Sequence, residues 1–136
     1  MADEILTPEN VSTERLRQIF DQAYLETSID EDGDLEVTDG ISCWVRASSD
    51  GRRIQLMTLI RVDQASSMES RLQLANRIND EMAVLRAAAT GHDGFCFDHY
   101  LGVVGGLPVR NLVMSTRDFL QAVRAAFQFD EAGILG

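Results

Sequence analysis

Residues 72–80 read LQLANRIND, and the reading of this stretch decides the fold. Met68, Leu72, Ala75, Ile78 and Met82 recur at helical spacing. That pattern predicts a short amphipathic helix laid with one stripe on a sheet. Before it the sequence predicts a helix and three strands, and after it a hairpin and a last helix. The short helix therefore joins two strand-rich halves.

Upstream, from residue 34 to 63, the apolar period changes to two. Leu35 and Val37 alternate ahead of Asp39-Gly40, and Ile41, Cys43 and Val45 alternate ahead of Asp50-Gly51. Ile54, Leu56, Thr58, Ile60 and Val62 follow. Asp-Gly between alternating runs signals a hairpin, so this region predicts a three-stranded antiparallel meander. Its second pleat carries Trp44, Met57 and Leu59, which is apolar for a face that should meet solvent.

Further upstream, Ser12 is placed to cap a helix, with Val11 and Leu16 as a hydrophobic staple. Leu16, Ile19, Phe20, Ala23 and Tyr24 mark one face of that helix, which should end near Glu26. Residues 1–11 read as a polar lead-in. The acidic turn Asp30-Glu31-Asp32-Gly33-Asp34 invites a calcium reading. An EF-hand loop, however, needs alternate ligands, Gly at its sixth position and Glu at its twelfth. Gly33 is out of place, and counting from Asp34 puts Asp39 where Gly should stand. A solvated acidic turn is the reading.

Downstream, residues 64–70 form a polar loop. Residues 82–89 either extend the central helix, because Ala and Leu favour it, or form a strand. In the second case the chain turns at Gly91-His92-Asp93-Gly94 and returns over residues 95–104. Gly105-Gly106 then breaks the chain, and Pro108 suits a first helical turn. Val109, Leu112, Val113, Thr116, Phe119, Leu120, Val123 and Phe127 trace one stripe. They predict a helix from about Pro108 to Gln128, with a mobile tail over residues 129–136. Arg110, Arg117 and Arg124 recur every seventh residue, about 10 Å apart per step along one flank. They read either as solvated stems edging the stripe or as a docking strip for an acidic partner segment.

A chain of 136 residues suits one core, so residues 1–136 read as a single domain. Its 45% hydrophobic and 25% charged residues are ordinary for a globular protein. A net charge of −10 argues against binding phosphate backbones, so no nucleic-acid partner is expected. Cys43 and Cys96 sit in apolar runs without a CxxC, which predicts buried free thiols and a reducing compartment. The N-terminus lacks a basic segment followed by an apolar one, and no stretch approaches about 18 apolar residues. No membrane partner is expected, and the cytoplasm is the expected location.

Chemistry finds little purchase. Cys96, Asp98 and Tyr100 alternate against Phe95, Phe97 and His99, so Cys96 and His99 should point to opposite faces of a strand. A nucleophile and its base must lie within hydrogen-bond reach, and metal ligands must converge. His92 reads as a turn residue. Gly102, Gly105 and Gly106 match neither phosphate-binding pattern, and no G-x-S-x-G or H-E-x-x-H occurs. No catalytic residue, cofactor or metal ligand is assigned. Asn79 lies within its helix stripe, where it reads as satisfying terminal backbone groups, with ligand binding as the alternative.

The order helix, three strands, helix, two strands, helix looks like the type III secretion chaperone-like fold. Within it, the chain resembles the YbjN family of bacterial sensory-transduction regulators. The residues that carry the resemblance are Asn76 and Asn79 in ANRIND, FDHYLGVVGGLP over 97–108, and NLVMSTRDFLQAV over 111–123. The resemblance implies that the central helix ends near Asp80 and a strand begins near Met82. It also implies a cytoplasmic, dimeric, non-enzymatic interaction domain, and supplies no catalytic residues. The expected architecture is α+β, a five-stranded antiparallel sheet with three helices in the order α-β-β-β-α-β-β-α. The expected function is a homodimeric protein–protein interaction module with a chaperone-like or regulatory role. The rival readings are a secretion chaperone holding an extended client segment, and a small-ligand or metal-binding sensor or enzyme. Partner contacts are expected at Trp44, Met57, Leu59, Arg110, Arg117 and Arg124.

Overall fold

In the computed structural model, which describes residues 4–91 and 93–136, the chain opens with β1 (Ile5–Leu6), α1 (Thr13–Gln22) and β2 (Glu26–Ile29). β3 (Leu35–Asp39), β4 (Ile41–Ala47) and β5 (Arg53–Arg61) follow, and α2 (Met68–Glu81) leads to β6 (Arg86–Ala89). β7 (Gly94–Gly102), β8 (Leu107–Pro108), α3 (Val109–Ala126) and a 3₁₀ turn at Phe127–Phe129 complete it. His92 and the first three residues of the lead-in lie outside the described residues.

The two Asp-Gly steps turn the chain where the alternation stops, and β3, β4 and β5 pair antiparallel in sequence order. β7 then inserts between β5 and β6, antiparallel to both, so β5 and β6 run parallel and α2 makes the long crossover such strands require. The sheet order is β2-β3-β4-β5-β7-β6. The five-stranded expectation is thereby corrected. Among the described residues the main sheet has six strands, and β1 pairs with β8 in a separate two-stranded ribbon.

The missed strands have physical causes. β2 is a polar edge strand of four residues, ETSI, too short to show an alternation. The helix before it ends at Gln22 rather than Glu26 because residues 20–25 form a Schellman cap. Leu25 N–H donates to Phe20 O at 3.0 Å and Tyr24 N–H to Asp21 O at 3.1 Å. Tyr24 takes the left-handed position, φ 63°, that glycine usually fills, and its ring is 96% exposed instead of joining the core. β1 lies inside the lead-in, where fully buried Leu6 pairs with Leu107. Gly51, φ +72°, completes that corner, since a Cβ there would strike the Pro8 backbone.

One core serves the whole fold. Leu16, Ile19 and Phe20 of α1 and Leu112, Phe119, Leu120 and Val123 of α3 cover the sheet face formed by Leu35, Val37, Val45, Ile54, Leu56, Phe95 and Phe97. Thr116 sits in the α3 stripe without penalty because its hydroxyl donates to Leu112 O at 2.8 Å. No helix among the described residues is long and apolar enough to cross a membrane.

α2 departs from its expected stripe. Arg71, Leu74, Ala75 and Ile78 are buried, whereas Met68 and Leu72 are exposed. Arg71 claims the buried place because its guanidinium bonds Ser66 Oγ, Ser66 O and Asp63 O, closing the loop before the helix. The helix ends at Glu81 and the strand begins at Arg86, so residues 86–89 are strand and not helix extension. Asn79 fixes that junction. Its side-chain NH₂ donates to Ala87 O at 2.9 Å and its carbonyl accepts from Ala87 N–H at 2.7 Å. It thus satisfies a strand edge, not a helix end.

Residues 129–136, expected as a mobile tail, are packed. The Asp130 carboxylate accepts from the N–H groups of Ile134 and Leu135 at 2.7 and 2.8 Å, and Asp63 N–H donates to Ile134 O. Ile134 and Leu135 are buried.

Two substitutions probe these devices. Tyr24→Gly removes the left-handed strain without exposing buried area and should stabilise the fold by about 1 kcal/mol. A lower urea midpoint would show that the ring packs. Asn79→Ala leaves Ala87 unpaired and should cost about 1–3 kcal/mol. Faster amide exchange should appear at Ala87 before distant core amides.

Candidate partner-binding surface

The helices cover one face of the main sheet and leave the other to solvent. On that outer face the β4–β5 register sets Trp44 opposite Met57, and the β5–β7 register sets Met57 opposite Asp98 and Gln55 opposite Tyr100. Leu59 stands 50% exposed and Tyr100 49% exposed, with Trp44 and Met57 half-buried between neighbours. The structure therefore brings Trp44, Met57 and Leu59 together.

Their surroundings hold them in place. The Trp44 indole N–H donates to Asp30 Oδ2 at 3.0 Å, and the Arg46 guanidinium lies 5.4 Å from the indole centroid while pairing with Asp34 at 3.2 Å. Beyond Trp44 and Met57 the regular β4–β5 ladder stops, and the Thr58 hydroxyl bridges to Ser42 O at 2.8 Å instead. A shallow pocket of about 160 Å³ opens there, lined by Glu36, Ser42, Cys43, Trp44, Thr58 and Leu59.

Next to this patch lies a buried charge that the sequence did not disclose. Asp98 is 4% exposed and accepts two hydrogen bonds from Arg86, at 2.8 and 2.6 Å, and one from Gln55 at 3.3 Å. Arg86 also spans the Tyr100 ring, 6.0 Å from its centroid, and its pairing with Asp98 raises its own pKa. The alternation in β7 put Asp98 on this pleat, but only the pairing with β6 reveals Arg86.

The arginine strip is divided by the structure. It lies on α3, on the helical side of the sheet and away from Trp44, Met57 and Leu59. Arg117 donates to Ala23 O at the end of α1 at 3.0 Å. Arg124 lies against the turn at Gly40, φ +79°, where any Cβ would collide with its guanidinium. Arg110 makes no ion pair among the described residues. Arg110 and Arg117 share a groove between α1 and α3, and Arg124 does not join them.

Asp30, Asp32 and Asp34 bring one oxygen each within 4.8 Å of the others. Their acceptor capacity is partly used. Asp30 Oδ1 takes the N–H groups of Asp32 and Asp34, Oδ2 takes the indole, and Asp34 takes Arg46. Hydrogen bonds from the Asp34 N–H, then the indole and the Asp32 N–H, hold the Asp30 pKa below 3.8. Burial pushes the Cys43 thiol up to about 12 and raises Cys96 as well, so neither is a ready nucleophile. Cys96 faces outward with Asp98, whereas Phe95 and Phe97 face the core.

The Asp30–Trp44 bond gives a pH signature. A lowered folded pKa means its stabilisation is complete above 3.8 and is lost as pH falls through the folded value. Emission from the single tryptophan should therefore step at a midpoint below 3.8. Asp30→Asn should remove the step, and a midpoint at or above the ordinary value would contradict the geometry.

An α+β sheet covered on one face by two helices, with a third in the crossover, is shared with known structures. The Yersinia pestis type III secretion chaperone SycH, solved in complex with a stable fragment of YscM2, aligns at TM-score 0.54 and 15% identity, covering 82% of this chain and 97% of SycH. The chaperone–effector complex of SchA and HopA1 aligns at 0.58 and 11% identity, covering 83% and 90%. The fold is thus type III secretion chaperone-like. YbjN of E. coli, described as "a putative transcription regulator", aligns at 0.74 and 14% identity, covering 93% and 94%. Comparison with the curated proteins returns no match. The sequence model of YbjN, "Putative bacterial sensory transduction regulator", matches residues 12–131, and the chain belongs to that family.

Proposed function

We propose that the protein is a non-enzymatic, homodimeric protein-binding module of the cytoplasm that acts in a regulatory or chaperone-like way. The observation that carries this reading is the uncovered outer sheet face. Trp44, Met57 and Leu59 form an apolar patch beside a pocket, and a soluble monomer seldom leaves such a patch unused. Exposed Met68 and Leu72, one turn apart on α2, offer a second apolar surface for the same association. A net charge of −10 disfavours direct contact with DNA phosphates, so a regulator of this composition acts through proteins.

A second reading, a secretion chaperone that holds an extended client segment, is favoured by two neighbours solved with protein partners. The third reading, a small-ligand or metal-binding sensor or enzyme, has the least support, since the raised thiols and the outward-facing Cys96 offer no reacting centre.

Sedimentation at high micromolar concentration tests the dimer. The native chain should sediment as a dimer, and Leu59→Glu should raise its dissociation constant about tenfold or more while leaving the thermal midpoint nearly unchanged. A native monomer would sink the homodimer reading. Affinity capture from native extract, with Leu59→Glu as the control, would then separate the regulatory reading from the client-holding one.

A further inference from the structure

The helical side of the molecule carries a second surface of different chemistry. The shallow, open groove between α1 and α3 has a volume of about 320 Å³ and takes its apolar lining from Ile19, Val109, Val113 and Met114. Arg110 and Arg117 are its only charged lining residues among those described. In a chain of net charge −10, a groove lined by two guanidinium groups and no carboxylate is a local reversal of sign. Met114 is 56% exposed and Arg110 has no ion-pair partner among the described residues. Arg117 is held at the groove edge by its bond to Ala23 O and makes no ion pair among the described residues.

We propose that this groove docks an acidic amphipathic helix of a partner protein. The two arginines are seven residues apart on α3, about 10 Å along its axis. A helix laid beside α3 has the same rise, so carboxylates at i and i+7 meet both guanidinium groups while apolar residues at i+3 and i+4 reach Met114 and Val113. In an extended segment, rising about 3.3 Å per residue, the residue about 10 Å on is i+3, whose side chain points to the opposite face, so such a segment cannot meet both guanidinium groups from one face. Charge complementarity selects the acidic occupant, and the apolar lining supplies the burial. The proposal rests on the reading of the chain as a protein-binding module but uses the opposite side of the sheet.

The probe is a fluorescent peptide of about 18 residues, helical by design, with Glu at i, i+7 and i+14 and Leu at i+3, i+4, i+10 and i+11. Its counterpart carries Lys for Glu. Anisotropy titration of the full chain should show binding of the Glu peptide that weakens with salt, and about tenfold or more weaker binding of the Lys peptide. Arg110→Glu, at an exposed position with no ion-pair partner among the described residues, should weaken the Glu peptide about tenfold and strengthen the Lys peptide. Met114→Glu should weaken the Glu peptide, and Leu59→Glu should leave it unchanged. Equal binding of both peptides, no binding of the Glu peptide, or insensitivity to Arg110→Glu would overturn the proposal. So would a dimer that sediments as a monomer only in the Arg110→Glu variant, which would assign the groove to a second copy. Loss of the dimer with Leu59→Glu, alongside intact peptide binding, leaves both the outer-face reading and this one standing.

Discussion

Nine residue pairs between β5 and β7, from Arg53 opposite Gly102 to Arg61 opposite Gly94, hold the centre of the sheet in one register. A slip of one residue would send Phe95 and Phe97 to solvent and Asp98 into the core. Every other feature follows from that register. It sets Ile54, Leu56 and Phe97 under α1 and α3, and it leaves Met57, Leu59 and Tyr100 on the face that no helix covers. It also makes β7 a template for β6, a run of alanines with little strand preference of its own. Partnering on both sides stabilises that weak strand, with β7 along one edge and the Asn79 amide along the other. The second partner blocks an edge that would otherwise invite pairing with another chain.

The parts legible in the sequence are those where period and punctuation agree locally. Asp39-Gly40 and Asp50-Gly51 bracket alternating runs, and the observed hairpins fall there. The α3 stripe, with Thr116 included, needed only helical spacing. Where a non-local partner decides, the local pattern misleads. Leu72 and Leu74 are equally apolar, and Arg71 settles which face turns inward by bonding carbonyls of the loop before the helix. The apolar spacing carries α1 on through Tyr24, because nothing local marks a tyrosine in the place of a capping glycine. Ile134 and Leu135 were read as tail because two apolar residues have no period, yet Asp130 folds them back. Of the surface residues, Trp44, Met57 and Leu59 were visible from pleat alternation alone. Arg86 was not, because its partner Asp98 lies twelve positions on and only strand pairing joins them.

Each of the twelve positive side chains in this protein is an arginine; lysine does not occur. Arginine presents a planar fork that both stacks on rings and bonds carboxylates in a fixed geometry, whereas an ammonium is a hydrated point charge. The chain uses that difference repeatedly. Arg46 joins the Trp44 ring to Asp34, Arg86 joins the Tyr100 ring to Asp98, and Arg77 joins the Phe129 ring to Glu131. Two of these three sit on the outer sheet face, so its aromatic residues are held by charged neighbours. An exposed pair such as Arg77–Glu131 is worth only about 0–1 kcal/mol in stability. On the outer face the larger consequence is to restrict the rotamers that Trp44 and Tyr100 adopt. The outer face is therefore ordered by its own ring and carboxylate contacts, while Arg110 on α3 makes no ion pair among the described residues.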